Sequence, residues 1–172
     1  GNTASCSFDV TITDDEDPTL ECPAPINVNV DSGICGAVVE FSTPEGFDNS
    51  GDVIVTQIAG PVSGETFPVG TTTVTFQVED ASGNTATCSF DVTVTDNEDP
   101  EITSVSNITE NVDVDSCSAI VEYELPTATD NCEGVEVTLT EGLASGSEFP
   151  LGETTVTYTA TDAAGNEVTT TF

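Results

Sequence analysis

From Thr85 to Thr95 apolar and polar residues alternate. Cys88, Phe90, Val92 and Val94 fall on one side of an extended chain, and Ser89, Asp91, Thr93 and Thr95 on the other. That period of two predicts a half-buried strand. Before it comes the turn D-A-S-G-N at 80–84, and after it the acidic block Asp96–Asp99 closed by Pro100. Proline has no N–H for a ladder, so the strand must stop before it. The same string runs from Gly1 to Pro18 and begins again at Gly165. Gly1, Gly83 and Gly165 are 82 residues apart, so the chain is an internal repeat.

Within one repeat the pattern predicts about seven strands. Ile26, Val28 and Val30 alternate, as do Ala37, Val39 and Phe41, and the turn Asp31-Ser32-Gly33 between them predicts antiparallel neighbours. Residues 43–51 read as a long loop, Val53, Val55 and Ile58 as the next strand, and Phe67-Pro68-Val69-Gly70 as a turn. Val74, Phe76 and Val78 predict a long strand that leads into the 80–84 turn. No stretch has a helical period. Many short strands separated by Gly, Pro and Asp predict an all-β chain of tandem immunoglobulin-like β-sandwich repeats of 82 residues. Residues 1–17 read as the last strand and linker of a preceding repeat, 18–99 as repeat 1, and 100–172 as repeat 2 with its last strand incomplete.

Charge changes the picture. There are 32 acidic side chains and no Lys, Arg or His, giving a formal charge of −32. No internal salt bridge can offset that, and self-repulsion opposes a compact state. With no basic residue to meet a phosphate, nucleic acid is excluded as a partner. No apolar run is long enough for membrane insertion. Without His or Lys the usual nucleophile–base pairs are missing, so no catalytic residue is assigned and no enzyme is expected.

Six cysteines without a C-x-x-C or a histidine read as disulfides and an extracellular or cell-surface setting. Cys22 and Cys88 have the counterparts Ser104 and Thr170, so both are replaced together, which predicts that they bond. Cys117 and Cys132 remain as a bridge of repeat 2, although a sandwich puts them toward opposite poles. Cys35 has no evident mate, and Cys6 would pair with an upstream residue. Asn107-Ile108-Thr109 is a single N-glycosylation sequon.

In an immunoglobulin-like sandwich the loop after the second strand, the loop before the last and the entering linker share a pole. That groups Asp14, Asp15, Glu16 and Asp17 with Asp48, Asn49 and Asp80 at the first linker. At the second it groups Asp96, Glu98 and Asp99 with Asp130, Asn131 and Asp162. Asp and Asn are ordinary turn residues. A set this dense, repeated at both linkers with no cation nearby, instead favours a divalent ion. Calcium suits it, because it takes six to eight hard oxygen ligands in flexible geometry.

The motifs Cys22-Pro23, Gly33-x-Cys35, Asp130-Asn131-Cys132, F-P-x-G-T-T at 67–72, D-A-S-G-N at 80–84 and C-S-F-D-V-T-V-T-D-N-E-D-P at 88–100 together resemble the hyalin repeat, or HYR domain, over two tandem copies. The resemblance implies an immunoglobulin-like fold, an extracellular setting and cell adhesion. The Asp-rich, proline-closed linkers also resemble the calcium-binding joints of cadherins. The expected function is a structural segment of an extracellular filament or cell-surface adhesin, stiffened by calcium between domains. Its partners would be neighbouring repeats or copies of itself in a fibre. The alternative is an adhesion module that binds a surface glycan or protein ligand, which would want an exposed aromatic platform.

Overall fold

The computed structural model describes residues 1–172 and contains strands and turns but no helix. In the first repeat the strands are β1 (Thr19–Leu20), β2 (Ile26–Asn29), β3 (Gly36–Val38), β4 (Gly46–Phe47), β5 (Ile54–Ala59), β6 (Thr66–Pro68), β7 (Gly70–Glu79) and β8 (Thr85–Thr95). They form a four-stranded sheet in the order β2-β8-β7-β5 and two-stranded sheets β3-β6 and β1-β4. In the second repeat they are β9 (Glu101–Ile102), β10 (Ser118–Val121), β11 (Ala128–Thr129), β12 (Glu136–Glu141), β13 (Ser147–Pro150), β14 (Thr157–Thr161) and β15 (Glu167–Thr171). These give a sheet β12-β14-β15 and pairs β10-β13 and β9-β11. The architecture is a tandem immunoglobulin-like sandwich.

The alternation read from the sequence sorts side chains by face. On β7 and β8, Val74, Phe76, Val78, Phe90, Val92 and Val94 are buried. The opposite face is a ladder of hydroxyl and carboxylate bonds: Thr71 to Thr93 at 3.2 Å, Thr73 to Asp91 at 2.7 Å and Thr75 to Ser89 at 2.9 Å. Phe41 closes the sandwich, meeting Phe67 of β6, Phe76 of β7 and Phe90 of β8 edge to face at centroid distances of 6.2, 6.3 and 5.2 Å. Such edge contacts suit the aromatic quadrupole. Gly60 must be glycine: its φ is +85°, and an added Cβ would lie 2.9 Å from the Thr73 carbonyl oxygen.

In the second repeat Tyr123 and Tyr158 stand 82 residues after Phe41 and Phe76. Their rings meet at 6.3 Å, and Tyr123 also packs on Phe172 at 5.0 Å. The two hydroxyls lie 3.1 Å apart, and Tyr123 donates to the Leu143 carbonyl at 2.6 Å. Burial, followed by the bond to Tyr158, raises the Tyr123 pKa above the ordinary tyrosine value.

The chain clusters into two compact units that do not follow the repeat boundaries. One holds Gly1–Ile26, Val38–Phe67 and Thr71–Thr93; the other holds Asn27–Ala37, Pro68–Gly70 and Val94–Phe172. The Asp31–Cys35 turn of the first repeat therefore belongs to the same unit as the second repeat.

Three expectations need correction, and residues 1–13 stand apart from them: they pair with no strand among residues 1–172, and Phe8, Val10 and Ile12 are 84, 74 and 92 % exposed. A strand needs a ladder, and β8, which carries the same pattern, has β2 and β7 beside it. The runs on either side of Asp31–Gly33 are not sheet neighbours, because β2 joins β8 whereas β3 joins β6. The turn between them switches sheets, and its Asp31 amide donates to the Gly36 carbonyl at 2.8 Å. Phe67 is a fully buried strand residue, not part of a loose turn. In the second repeat the counterpart of β2 is not a strand: Ile108 and Val112 are 40 and 44 % exposed.

Candidate metal centres at the acidic linkers

In each repeat an aspartate closes the turn before the last strand. Asp80 accepts from the Ser82 amide at 2.9 Å and the Asn84 amide at 2.7 Å through Oδ1, and from Asn84 Nδ2 at 2.8 Å through Oδ2. Asp162 repeats this, taking the Gly165 amide at 2.6 Å, the Asn166 amide at 2.7 Å and Asn166 Nδ2 at 2.7 Å. Both aspartates are buried. Burial pushes their pKa values up, but the side-chain bond of Asn84 or Asn166 and the turn amides outweigh it, so both lie below the ordinary aspartate value.

The same asparagines hold the linkers. Asn84 Nδ2 donates to the Asp14 carbonyl at 3.3 Å, and Asn166 Nδ2 to the Asp96 carbonyl at 3.4 Å. Asp14 and Asp96 each accept the amide two residues on, from Glu16 and Glu98, at 3.2 Å. The strand-end turn thus positions the first carboxylate of the entering linker. Neither asparagine was singled out in the sequence reading. The signal available was the Gly-Asn pair repeated at 1–2, 83–84 and 165–166.

At the first linker, carboxylate oxygens of Asp14, Asp48 and Asp80 all lie within 4.8 Å of one another. Asp48 is held by the Ser50 amide at 2.7 Å and by the Ser50 hydroxyl. Asn49 donates to Glu16, while Asp15 and Asp17 are exposed. Asp14 Oδ2 is buried and has no hydrogen-bond partner. A buried acceptor left unpaired is costly, the more so among like charges.

At the second linker, Asp96, Asp130 and Cys132 offer atoms within 4.8 Å of one another. The Cys132 sulfur is in a disulfide, so it is not a thiolate ligand, and the usable donors there are oxygens. Asp130 accepts from the Cys132 amide at 2.9 Å, and Asn131 Nδ2 donates to the Ile34 carbonyl at 3.2 Å. Asn131 Oδ1 is buried with no partner. Glu98 accepts from the Gly33 amide at 2.9 Å. A cavity of about 470 Å³ beside this turn is lined by Glu98, Asp99, Glu101, Asp130 and Asn131 among others. The Asp162 carboxylate is engaged by its own turn and is not part of this group.

Cys22 and Cys88 are joined, with Cα atoms 5.7 Å apart. The expected Cys117–Cys132 bridge is not present: Cys132 is bonded to Cys35, with Cα atoms 4.8 Å apart, and Cys117 is a free, exposed thiol. The reason is placement. Asn131 docks on the Ile34 carbonyl next to Cys35, which brings the Asp130–Cys132 loop to the Asp31–Cys35 turn. Cys6 is also free and exposed. Asn107 is exposed in a segment without strand.

Disulfide-tied sandwiches entered by carboxylate-rich, proline-closed linkers define a modular repeat protein. The HYR domain family matches residues 13–94 and 95–172, and the chain belongs to that family. It is 38 % identical over 172 residues to the hyalin of Strongylocentrotus purpuratus, covering 96 % of this chain and 14 % of that protein. It is equally similar to the hyalin of Lytechinus variegatus, of which it covers 32 %. It is 33 % identical to the sushi, von Willebrand factor type A, EGF and pentraxin domain-containing protein 1 of Rattus norvegicus, covering 91 % of this chain and 4 % of that protein. The chain thus spans a minor part of the length of each of these relatives. Among solved structures, extracellular cadherin domains 1–4 of protocadherin gamma B7 superpose with a TM-score of 0.42 at 16 % identity, over 92 % of this chain and 49 % of that one.

Proposed function

We propose that this chain is a structural segment of an extracellular repeat filament or cell-surface adhesin, and that calcium held at its acidic linkers fixes neighbouring domains. The observation that carries this is the pair of buried, unpartnered oxygens, Asp14 Oδ2 and Asn131 Oδ1, one at each linker. At the first linker Asp14, Asp48 and Asp80 would hold the ion; at the second, Asp96, Asp130 and Asn131, with Glu98 and Asp99 beside them. All are hard oxygen donors, which suits calcium and gives no reason for a transition metal. Bound calcium would remove the repulsion within each cluster and supply the unpaired oxygens with a partner. The two disulfides fit an oxidising, extracellular setting.

The test is a calorimetric and melting titration of the chelator-stripped chain. Ligand binding to the folded state alone stabilises it by about 2.7 kcal/mol at a hundredfold excess over Kd. Calcium should therefore raise the melting temperature saturably, magnesium less, and chelator should reverse the rise. The double variant Asp14→Asn/Asp48→Asn should lose the first-linker share of the heat while Cys22–Cys88 stays formed. A melting curve indifferent to calcium, together with no binding heat, would sink the proposal.

A further inference from the structure

Cys117 has no role in either linker centre, yet it occupies a built position. It lies 82 residues after Cys35, and the turn that carries it matches the turn that carries Cys35. Asp31 donates to the Gly36 carbonyl at 2.8 Å and Asp113 to the Ser118 carbonyl at 2.9 Å. Ile34 donates back to the Asp31 carbonyl at 2.9 Å and Ser116 to the Asp113 carbonyl at 3.0 Å. The match survives a substitution that should have broken it. Gly33 has φ 72°, and Asp115, its counterpart, has φ 61°, the one non-glycine residue of the chain with positive φ. Aspartate is among the few residues that tolerate that region.

The second observation is what the equivalent cysteine does. Cys35 is not free: it bonds Cys132, which sits in the Asp-Asn-Cys loop of the next repeat, 97 residues on. Cys117 presents the same thiol from the same turn, exposed and unbonded. We propose that Cys117 is one half of a second inter-repeat disulfide. The other half is the cysteine of an Asp-Asn-Cys loop in a HYR domain that is joined to the second repeat through an acidic, proline-closed linker like 96–100. The bond forms by thiol–disulfide exchange. One thiolate attacks a low-molecular-weight disulfide such as oxidised glutathione and releases one thiol. The partner thiolate then displaces the second, so both electrons end on the oxidant. The proposal does not depend on calcium.

The test uses the full chain extended after Phe172 by a second copy of residues 91–172, which continues the 82-residue register because Phe172 corresponds to Phe90. In the appended copy Thr127→Ser makes the peptide bearing its Cys132 distinct by mass, and Cys117→Ala in that copy alone removes a second thiol whose peptide would be identical to the one tested. The protein is refolded in a glutathione redox buffer, alkylated and mapped without reduction. The expected result is loss of Cys117 from the alkylated fraction and its recovery linked to the marked Cys132. In the Cys117→Ser version, the marked cysteine should become alkylatable. With Cys35→Ser the Cys117 link should persist, since each bridge is made by its own turn. Recovery of Cys117 as a free thiol, whatever the state of Cys35, overturns the proposal, and so does its recovery bonded to Cys6 or to Cys117 of another molecule.

Discussion

Ser50 and Cys132 stand at equivalent positions of the two repeats, and the difference between them separates two ways of finishing one loop. In the first repeat the Ser50 hydroxyl and amide both serve Asp48, so the loop ends on the carboxylate cluster of Asp14, Asp48 and Asp80. In the second the amide serves Asp130 in the same way, but the side chain bonds Cys35 rather than the aspartate. The carboxylate frame is common to both, and the covalent tie is an addition to it. The cores differ in parallel. The first repeat packs four phenylalanines and ties Cys22 to Cys88. The second replaces two of the rings with hydrogen-bonded tyrosines and has Ser104 and Thr170 where the first has its disulfide. The first repeat relies on apolar burial and an internal cross-link, the second on polar bonds in the core and a bridge to its neighbour.

Three experiments sharpen or break this contrast. The largest effect is expected from Phe67→Ala, which empties a fully buried site and should cost about 3–5 kcal/mol in denaturant titration. Phe149→Ala, at the counterpart position that is only half-buried, should cost visibly less. Equal losses would mean that the two cores are not different in kind.

A smaller loss, about 2–4 kcal/mol, is expected from Cys22→Ser/Cys88→Ser. It should fall on the first repeat alone, read by amide exchange that leaves β12, β14 and β15 as protected as before. The reverse change, Ser104→Cys/Thr170→Cys, should move the second repeat the other way.

The smallest effect is in acid. Asp80 and Asp162 have depressed pKa values when folded, so their contribution is present above the unfolded value of 3.8 and disappears as pH falls through the folded value. Calorimetry below pH 4 should show both repeats weakening together, since this turn is the feature they share. Asp80→Asn and Asp162→Asn should each flatten one transition. Acid sensitivity confined to one repeat would contradict the common frame.

Much of this was legible in the chain, for a physical reason: short-range pattern is a property of one strand. The alternation of Val74, Phe76 and Val78 against Phe90, Val92 and Val94 requires no knowledge of neighbours, and the paired replacement of Cys22 and Cys88 points to one bond. What was not legible depends on which elements meet. Phe8, Val10 and Ile12 carry the same alternation as β8, but the pattern does not say whether a ladder exists to receive it. The turn at Asp31–Gly33 looks like a hairpin until β3 is seen to pair with β6. The Cys35–Cys132 bond joins two loops from different repeats, and only Asn131 docking on Ile34 places them. Asn84 and Asn166 passed as turn residues because nothing local shows that their amides reach the linker backbone.

The Cys35–Cys132 bond also alters how the chain would carry load. A tensile force entering before residue 35 and leaving after residue 132 crosses directly through sulfur. The polypeptide enclosed between the two cysteines is mechanically short-circuited and cannot be drawn out while that bond lasts. Reduction would release it as slack, making redox state a control on the extensible length of the molecule.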